Sequence, residues 1–183
     1  EHNGLTYLNE FNTSYAKQIF QDPTWTKAMF VRDPKERFLS AFLDKAVSNY
    51  GIHIRDKCCT KKRERKCFEN ESCRQCVKDA QTIPGFLKKM ETCHDAHWDA
   101  ISNRMEPKYW KYINFVGKMK TLASDGQRLL EKLDAWEPFA STGWGPDSNS
   151  SMFDRKTKKD QSHTTDSTSK VWQYYTPAME RLV

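Results

Sequence analysis

The sequence offers three sets of residues that could do chemistry. The first is in "FVRDPKERFLSAFLDK", residues 30–45. A short apolar run, Ala28-Met29-Phe30-Val31, ends at Arg32, and Asp33-Pro34 then opens an amphipathic segment carrying Arg37 and Ser40. In an open α/β sheet, ligands bind beyond the carboxyl ends of the strands. A helix start there adds unpaired N–H groups and partial positive charge. Arg32, that helix start and the Ser40 hydroxyl together suit a dianionic phosphate held by charge-assisted hydrogen bonds. The plain alternative pairs Arg32 and Arg37 with Asp33 and Glu36 on a solvated helix start. The second set is the five histidines His2, His53, His94, His97 and His163. A neutral imidazole is the usual proton acceptor near neutral pH. His97 stands beside Trp98, whose ring could stack on a sugar or base; His53 and His94 read as surface residues.

The third set is the six cysteines, at 58, 59, 67, 73, 76 and 93. Their even count and clustering fit disulfides formed in an oxidising compartment, with the pairing left open. The sequons at Asn12, Asn70 and Asn149 agree with a secretory route. A zinc site through Cys73-Arg74-Gln75-Cys76 and Cys58-Cys59 is an alternative, but the spacing is not that of a standard finger. Residues 55–78 hold nine Lys and Arg against four acids, so they carry +5 of the net charge of +6. Such a patch suits a sulfated or carboxylated glycan. With Phe68 its only aromatic, it argues against a nucleic-acid partner. The plain reading is a disulfide-stapled loop that its charge keeps soluble.

The elements that must position these residues follow from periodicity. Residues 5–20 read as a helix and 26–31 as a short buried strand. Residues 34–48 read as a helix, with Asp33 as cap, Pro34 at the first helical position and Glu36 in a capping-box pattern. Phe38, Phe42 and Ala46 form one apolar row of it. The segment 51–80, poor in large aliphatics, reads as a cross-linked surface insertion without a core of its own. A turn and short helix follow at 82–90, and a second strand at 112–118. Ser124 with Gln127 reads as the capping box of the next helix, and 137–162 as a long loop. At 183 residues the chain can bury one core. Strands alternating with helices predict an α/β domain with a mostly parallel sheet. Two strands are too few for a stable sheet, so others are expected before residue 1; residues 1–183 read as a single domain, partial and cut at both ends.

The stretch "VRDPKERFLSAFLDK" resembles the phosphate-binding signature R-D/E/H-P-x-x-R-x-x-S-A of carbohydrate sulfotransferases, the Golgi group that includes chondroitin and HNK-1 sulfotransferases. His97-Trp98, "YINFVGKMKTLASD" at 112–125 and "HTTDSTSKVWQYYTP" at 163–177 are similar to further elements of that family, in the family's order. Lys120 stands where the family usually has Glu. The resemblance implies a P-loop-like sulfotransferase fold, a mostly parallel sheet flanked by helices; the Cys-rich basic segment departs from the family pattern, and 55–80 reads as an insertion in that fold. The resemblance implies transfer of a sulfuryl group from PAPS (3′-phosphoadenosine 5′-phosphosulfate) to a hydroxyl of a carbohydrate, polyanionic chains included. No resident metal is expected. Arg32 and Ser40 would bind the donor's 3′-phosphate, with Arg37 adding charge. His163, Thr164, Thr165 and Lys170 would close over the donor. The catalytic base would be His2, which lies in a segment similar to one that carries a catalytic histidine in uronyl 2-O-sulfotransferases, or else His97. The family's 5′-phosphosulfate loop, roughly P-K-x-x-x-T, does not occur in residues 1–31 and is expected upstream. The resemblance also implies a Golgi-luminal, type II protein anchored outside these residues. A disulfide-stapled binding module that kept the fold and lost catalysis is the alternative.

Overall fold

The computed structural model describes residues 6–60, 69–142 and 165–177. His2, His163, Thr164, Cys67 and most of the long loop lie outside them. In chain order the elements are α1 (Thr13–Gln21), β1 (Ala28–Val31), α2 (Pro34–Ala41), α3 (Ile52–Ile54), α4 (Glu71–Ala80), α5 (Ile83–Met90), β2 (Phe115–Lys118), α6 (Leu122–Lys132), α7 (Trp136–Phe139) and α8 (Ser167–Tyr174). The architecture is helix-rich, with a small parallel two-stranded sheet among the described residues. These residues fall into two compact units. One comprises 6–31 and 105–142, the other 32–60, 69–104 and 165–177.

The first unit holds the sheet. β1 pairs with β2 in parallel, Ala28 opposite Phe115 and Val31 opposite Lys118. Asn114 fixes the entry to this register, accepting from the Lys27 N–H (2.9 Å) and donating to the Trp25 carbonyl (3.0 Å). β1 is not the buried strand expected: Ala28 is exposed and Met29, Phe30 and Val31 are half-buried. Phe115 and Gly117 are the buried positions of the pair. α6 packs on β2, and its start differs from expectation. Ser124 donates to the Thr121 carbonyl (3.1 Å) instead of capping. Asp125 takes the role of acceptor, from the Lys118 N–H (2.8 Å) and the Thr121 hydroxyl (2.7 Å). The helix expected over 5–20 is broken. Phe11 is extended after a 3-10 turn at Leu8–Glu10, and Asn12 caps a new start by accepting from the Tyr15 N–H.

The second unit holds the core. Asp33 caps α2 as expected, accepting from the N–H groups of Lys35 and Glu36. The row Phe38, Phe42 and Ala46 is buried, as is Leu39. The expected single helix over 34–48 keeps its direction but changes type: α2 passes into a π-helical run at Phe42–Val47. Asn49, Tyr50 and Gly51 then turn the chain with positive φ. Gly51 is required there, because a Cβ would meet the Ala46 carbonyl at 2.9 Å. Phe86 of α5 sits between Phe38 and Phe42 and packs edge-on to Trp98. The cysteine-rich segment does share in this core: Ile54, Cys73, Val77 and Ala80 are buried in it. Disulfides join Cys58 to Cys93 and Cys59 to Cys76. Cys73 is disulfide-bonded too. Both cysteines of the C-x-x-C are therefore oxidised, which removes the thiolates the zinc alternative needs.

Candidate functional site

The residues of the Arg–Ser stretch meet the start of α8. Arg32 Nη2 donates to Ser167 Oγ at 2.6 Å, and its Nε lies 3.5 Å from a Glu36 carboxylate oxygen. Eight residues on, the Ser40 hydroxyl shares a hydrogen bond with the Thr165 hydroxyl at 3.0 Å. Lys170 Nζ donates to the Thr165 carbonyl at 3.0 Å. Arg32, just before α2, is thus bonded to the first residue of α8, and Ser40, near the end of α2, to the residue that leads into α8. Asp166 precedes α8 in the left-handed region, φ 48°, without a side-chain capping bond. At its other end Tyr175 donates from its hydroxyl to the Lys35 carbonyl (3.0 Å). Burial, then the negative charge of Asp33, raises the Tyr175 pKa, so this donor stays protonated. α8 is thus tied at both ends to α2 and the residues just before it.

Arg37 does something else. Its guanidinium donates to the backbone carbonyls of Asp99 and Ala96, the latter at 2.8 Å. Burial, then the nearby charge of Arg104, lowers its pKa from the usual guanidinium value. The second arginine of the motif therefore bolts α2 to the turn that carries His97. Trp98 of that turn is 5% exposed and packs on Phe86, its indole N–H donating to the Cys93 carbonyl (2.8 Å). Its ring is spent on the core rather than on stacking a ligand.

His97 is held by Asp95. The carboxylate accepts from the His97 backbone N–H at 2.9 Å and bonds its ring Nδ1 at 2.5 Å. The other oxygen lies 3.2 Å from His53 Nε2. Burial works to raise the Asp95 pKa, but the bonds from the His97 backbone, the His97 ring and His53 together hold it down to about 2. His53 is thus no surface residue in isolation; its ring lies edge-on to those of His97 (5.2 Å) and Trp98 (6.0 Å). His94 is exposed as expected. The ring nitrogens of His53 and His97 and a carboxylate oxygen of Asp95 lie within 4.8 Å of one another, a donor set that divalent metals also use.

The structure ties Ser40 and Lys170 to Thr165, ties Arg32 to Ser167 two residues on, and joins Arg37 to the turn of His97. His2 lies outside the described residues. Sequence reading passed over Ser167 and Asp95 and took His53 for a surface residue; Ser167 bonds Arg32, and Asp95 bonds both His97 and His53. Asp95 carried a legible signal, because an Asp two residues before a His can accept that residue's backbone N–H in an Asx turn. Ser167 and His53 carried none, since their partners lie 135 and 42 residues away.

Comparison with known proteins agrees with the motifs. The family model described as the sulfotransferase family matches residues 1–183. Human carbohydrate sulfotransferase 9 is 36% identical over 147 residues, 73% of this chain and 32% of the relative. Mouse carbohydrate sulfotransferase 8 is 28% identical over 121 residues, 61% and 28% of the two chains. Mouse carbohydrate sulfotransferase 11 is 28% identical over 115 residues, 59% and 32%. The chain spans about a third of the length of these curated relatives. No solved structure matches. With a family match along its whole length and carbohydrate sulfotransferases among its relatives, the chain belongs to the carbohydrate sulfotransferase family.

Proposed function

We propose that this chain is part of an enzyme that moves a sulfuryl group from PAPS to a hydroxyl of a carbohydrate. The observation that carries the reading is the meeting of Arg32 and Ser40 with Ser167 and Thr165 at the start of α8. Without an anion these groups satisfy one another. A 3′-phosphate can take the same donors, because a guanidinium and hydroxyls bind a dianion better than they bind each other. In this reading Arg32 and Ser40 grip the phosphate and Thr165 and Lys170 close over it. Arg37 lends its charge while its N–H groups hold the turn of His97.

The chemistry is in-line attack on sulfur. Negative charge grows on the departing phosphate, so cations fixed beside the nucleotide lower the barrier. The acceptor hydroxyl must lose a proton, and a histidine takes it. His2 and His97 are the two candidates; His97 is the one whose hydrogen bonds are described. The 5′-phosphosulfate loop and the remaining strands of a P-loop-like sheet belong, in this reading, to sequence before residue 1. Residues 1–183 are then one partial domain with 55–80 inserted in it. The charge of the basic segment suits a polyanionic acceptor. The disulfides fit an oxidising lumen, and a Golgi protein with a type II anchor outside these residues is the setting proposed. No helix among the described residues is long and apolar enough to cross a membrane.

The test is sulfate transfer by the full-length protein from radiolabelled PAPS to a panel of glycans. Label that appears on a carbohydrate only with active donor supports the reading. Retention on immobilised PAP, the desulfated donor, with no transfer to any acceptor would instead favour a binding module that lost catalysis.

A further inference from the structure

We infer that Asp95 is a positioning residue that fixes the tautomer and direction of the His97 ring, and that His53 and the Cys58–Cys93 disulfide hold Asp95 in place to do so. The inference builds on the sulfotransferase reading for the reaction it serves, while the arrangement itself is independent of it.

The Asp95 side chain is 4% exposed and the His97 side chain 45%. An ionised carboxylate only accepts hydrogen bonds. With Asp95 ionised, the 2.5 Å contact therefore requires the proton of His97 on Nδ1, and the 3.2 Å contact requires that of His53 on Nε2. A neutral His97 then carries its lone pair on Nε2, at the ring edge opposite the buried carboxylate. A base needs its lone pair on the nitrogen that the carboxylate does not hold. The backbone N–H of His97 bonds the same Asp95 oxygen. Main chain and ring are thereby locked by one group.

The second oxygen of Asp95 needs its own partner, and the cysteine-rich segment supplies it. His53 lies five residues before Cys58, and Cys93 lies two residues before Asp95. The disulfide between them staples these segments together. The same three side chains could in principle take a divalent cation. Two observations favour the hydrogen-bonded triad. Both Asp95 oxygens are already bonded to imidazole nitrogens. Lys57 Nζ lies 4.0 Å from Asp95, a cation where a metal would bring a second positive charge.

The experiment uses the full-length protein with Asp95→Asn, Asp95→Glu, His53→Gln and His53→Ala. Asp95→Asn is expected to lower kcat by ~10²- to 10⁴-fold, the range for a base whose tautomer is no longer fixed, with PAP affinity unchanged. Asp95→Glu should recover part of that loss, and His53→Gln, which keeps an N–H donor, should lose less than His53→Ala. The imidazole nitrogen NMR spectrum should show His97 protonated at Nδ1 in the wild type and mixed in Asp95→Asn. A kcat within about threefold of wild type in Asp95→Asn would overturn the inference. So would equal loss of kcat and PAP affinity, the mark of a merely structural role. One equivalent of metal on the purified protein, lost in His53→Ala, would overturn it in favour of a metal centre. If the wild type transfers no sulfate, the reaction assignment fails, and the NMR spectrum alone decides the triad: mixed tautomers in the wild type would overturn it.

Discussion

Ser40 sits two helical turns beyond Arg32, and its hydroxyl meets Thr165 rather than a neighbour on its own helix. A hydroxyl committed to an anion contributes through a charge-assisted bond. Ser40→Ala should therefore weaken PAP binding by about 1–3 kcal/mol, read by titration calorimetry; an unchanged affinity would remove Ser40 from the donor site. Asp95 supports a second prediction, on stability. Its carboxyl is held down to about 2 in the folded chain against an ordinary 3.8. A carboxyl depressed on folding adds stability that is complete above its unfolded pKa and lost as pH falls through the folded one. The part of the stability difference between wild type and Asp95→Asn that comes from this titration, about 2 kcal/mol, should thus be present above pH ~4 and vanish as the pH drops through about 2. Denaturant unfolding across that range checks it, and a pH-independent difference would contradict it.

The sheet offers the sharpest prediction among the elements. A Cβ on Gly117 would run into the Phe30 ring on the paired strand, so the ring or the strand must shift to admit one. Gly117→Ala should cost about 1–3 kcal/mol, as overpacking does; a melting temperature equal to wild type would show that the Phe30 ring simply moves aside. The elements also show what sequence could and could not reveal. Asp33-Pro34 and the row Phe38, Phe42 and Ala46 are local signals, and both were legible because capping and helical period act within a few residues. Both strands were placed, since β-branched and aromatic runs bounded by polar residues mark them. The π-helical continuation at Phe42–Val47 was not legible, because helix type there depends on packing as well as on spacing. Nor was the share of Val77 and Ala80 in the core, because a segment poor in large aliphatics can still be buried when disulfides pin it down.

At the scale of the whole molecule the disulfides and the donor site are the two claims to test. Cys58–Cys93 and Cys59–Cys76 close separations of 35 and 17 residues. Losing a native disulfide costs about 2–5 kcal/mol in small secreted domains. Reduction should therefore lower the melting temperature measurably; an identical melt with and without reductant would place the disulfides outside the folding energetics. The basic charge of residues 55–78 is compatible with this stapling and with a polyanionic acceptor, whose binding should weaken with salt. The account as a whole rests on the guanidinium of Arg32. Its most direct test is the affinity of the full-length protein for PAP, measured by calorimetry in wild type and Arg32→Ala. The account predicts that the substitution removes measurable binding while the melting temperature stays close to wild type; PAP bound equally well without that guanidinium would contradict it.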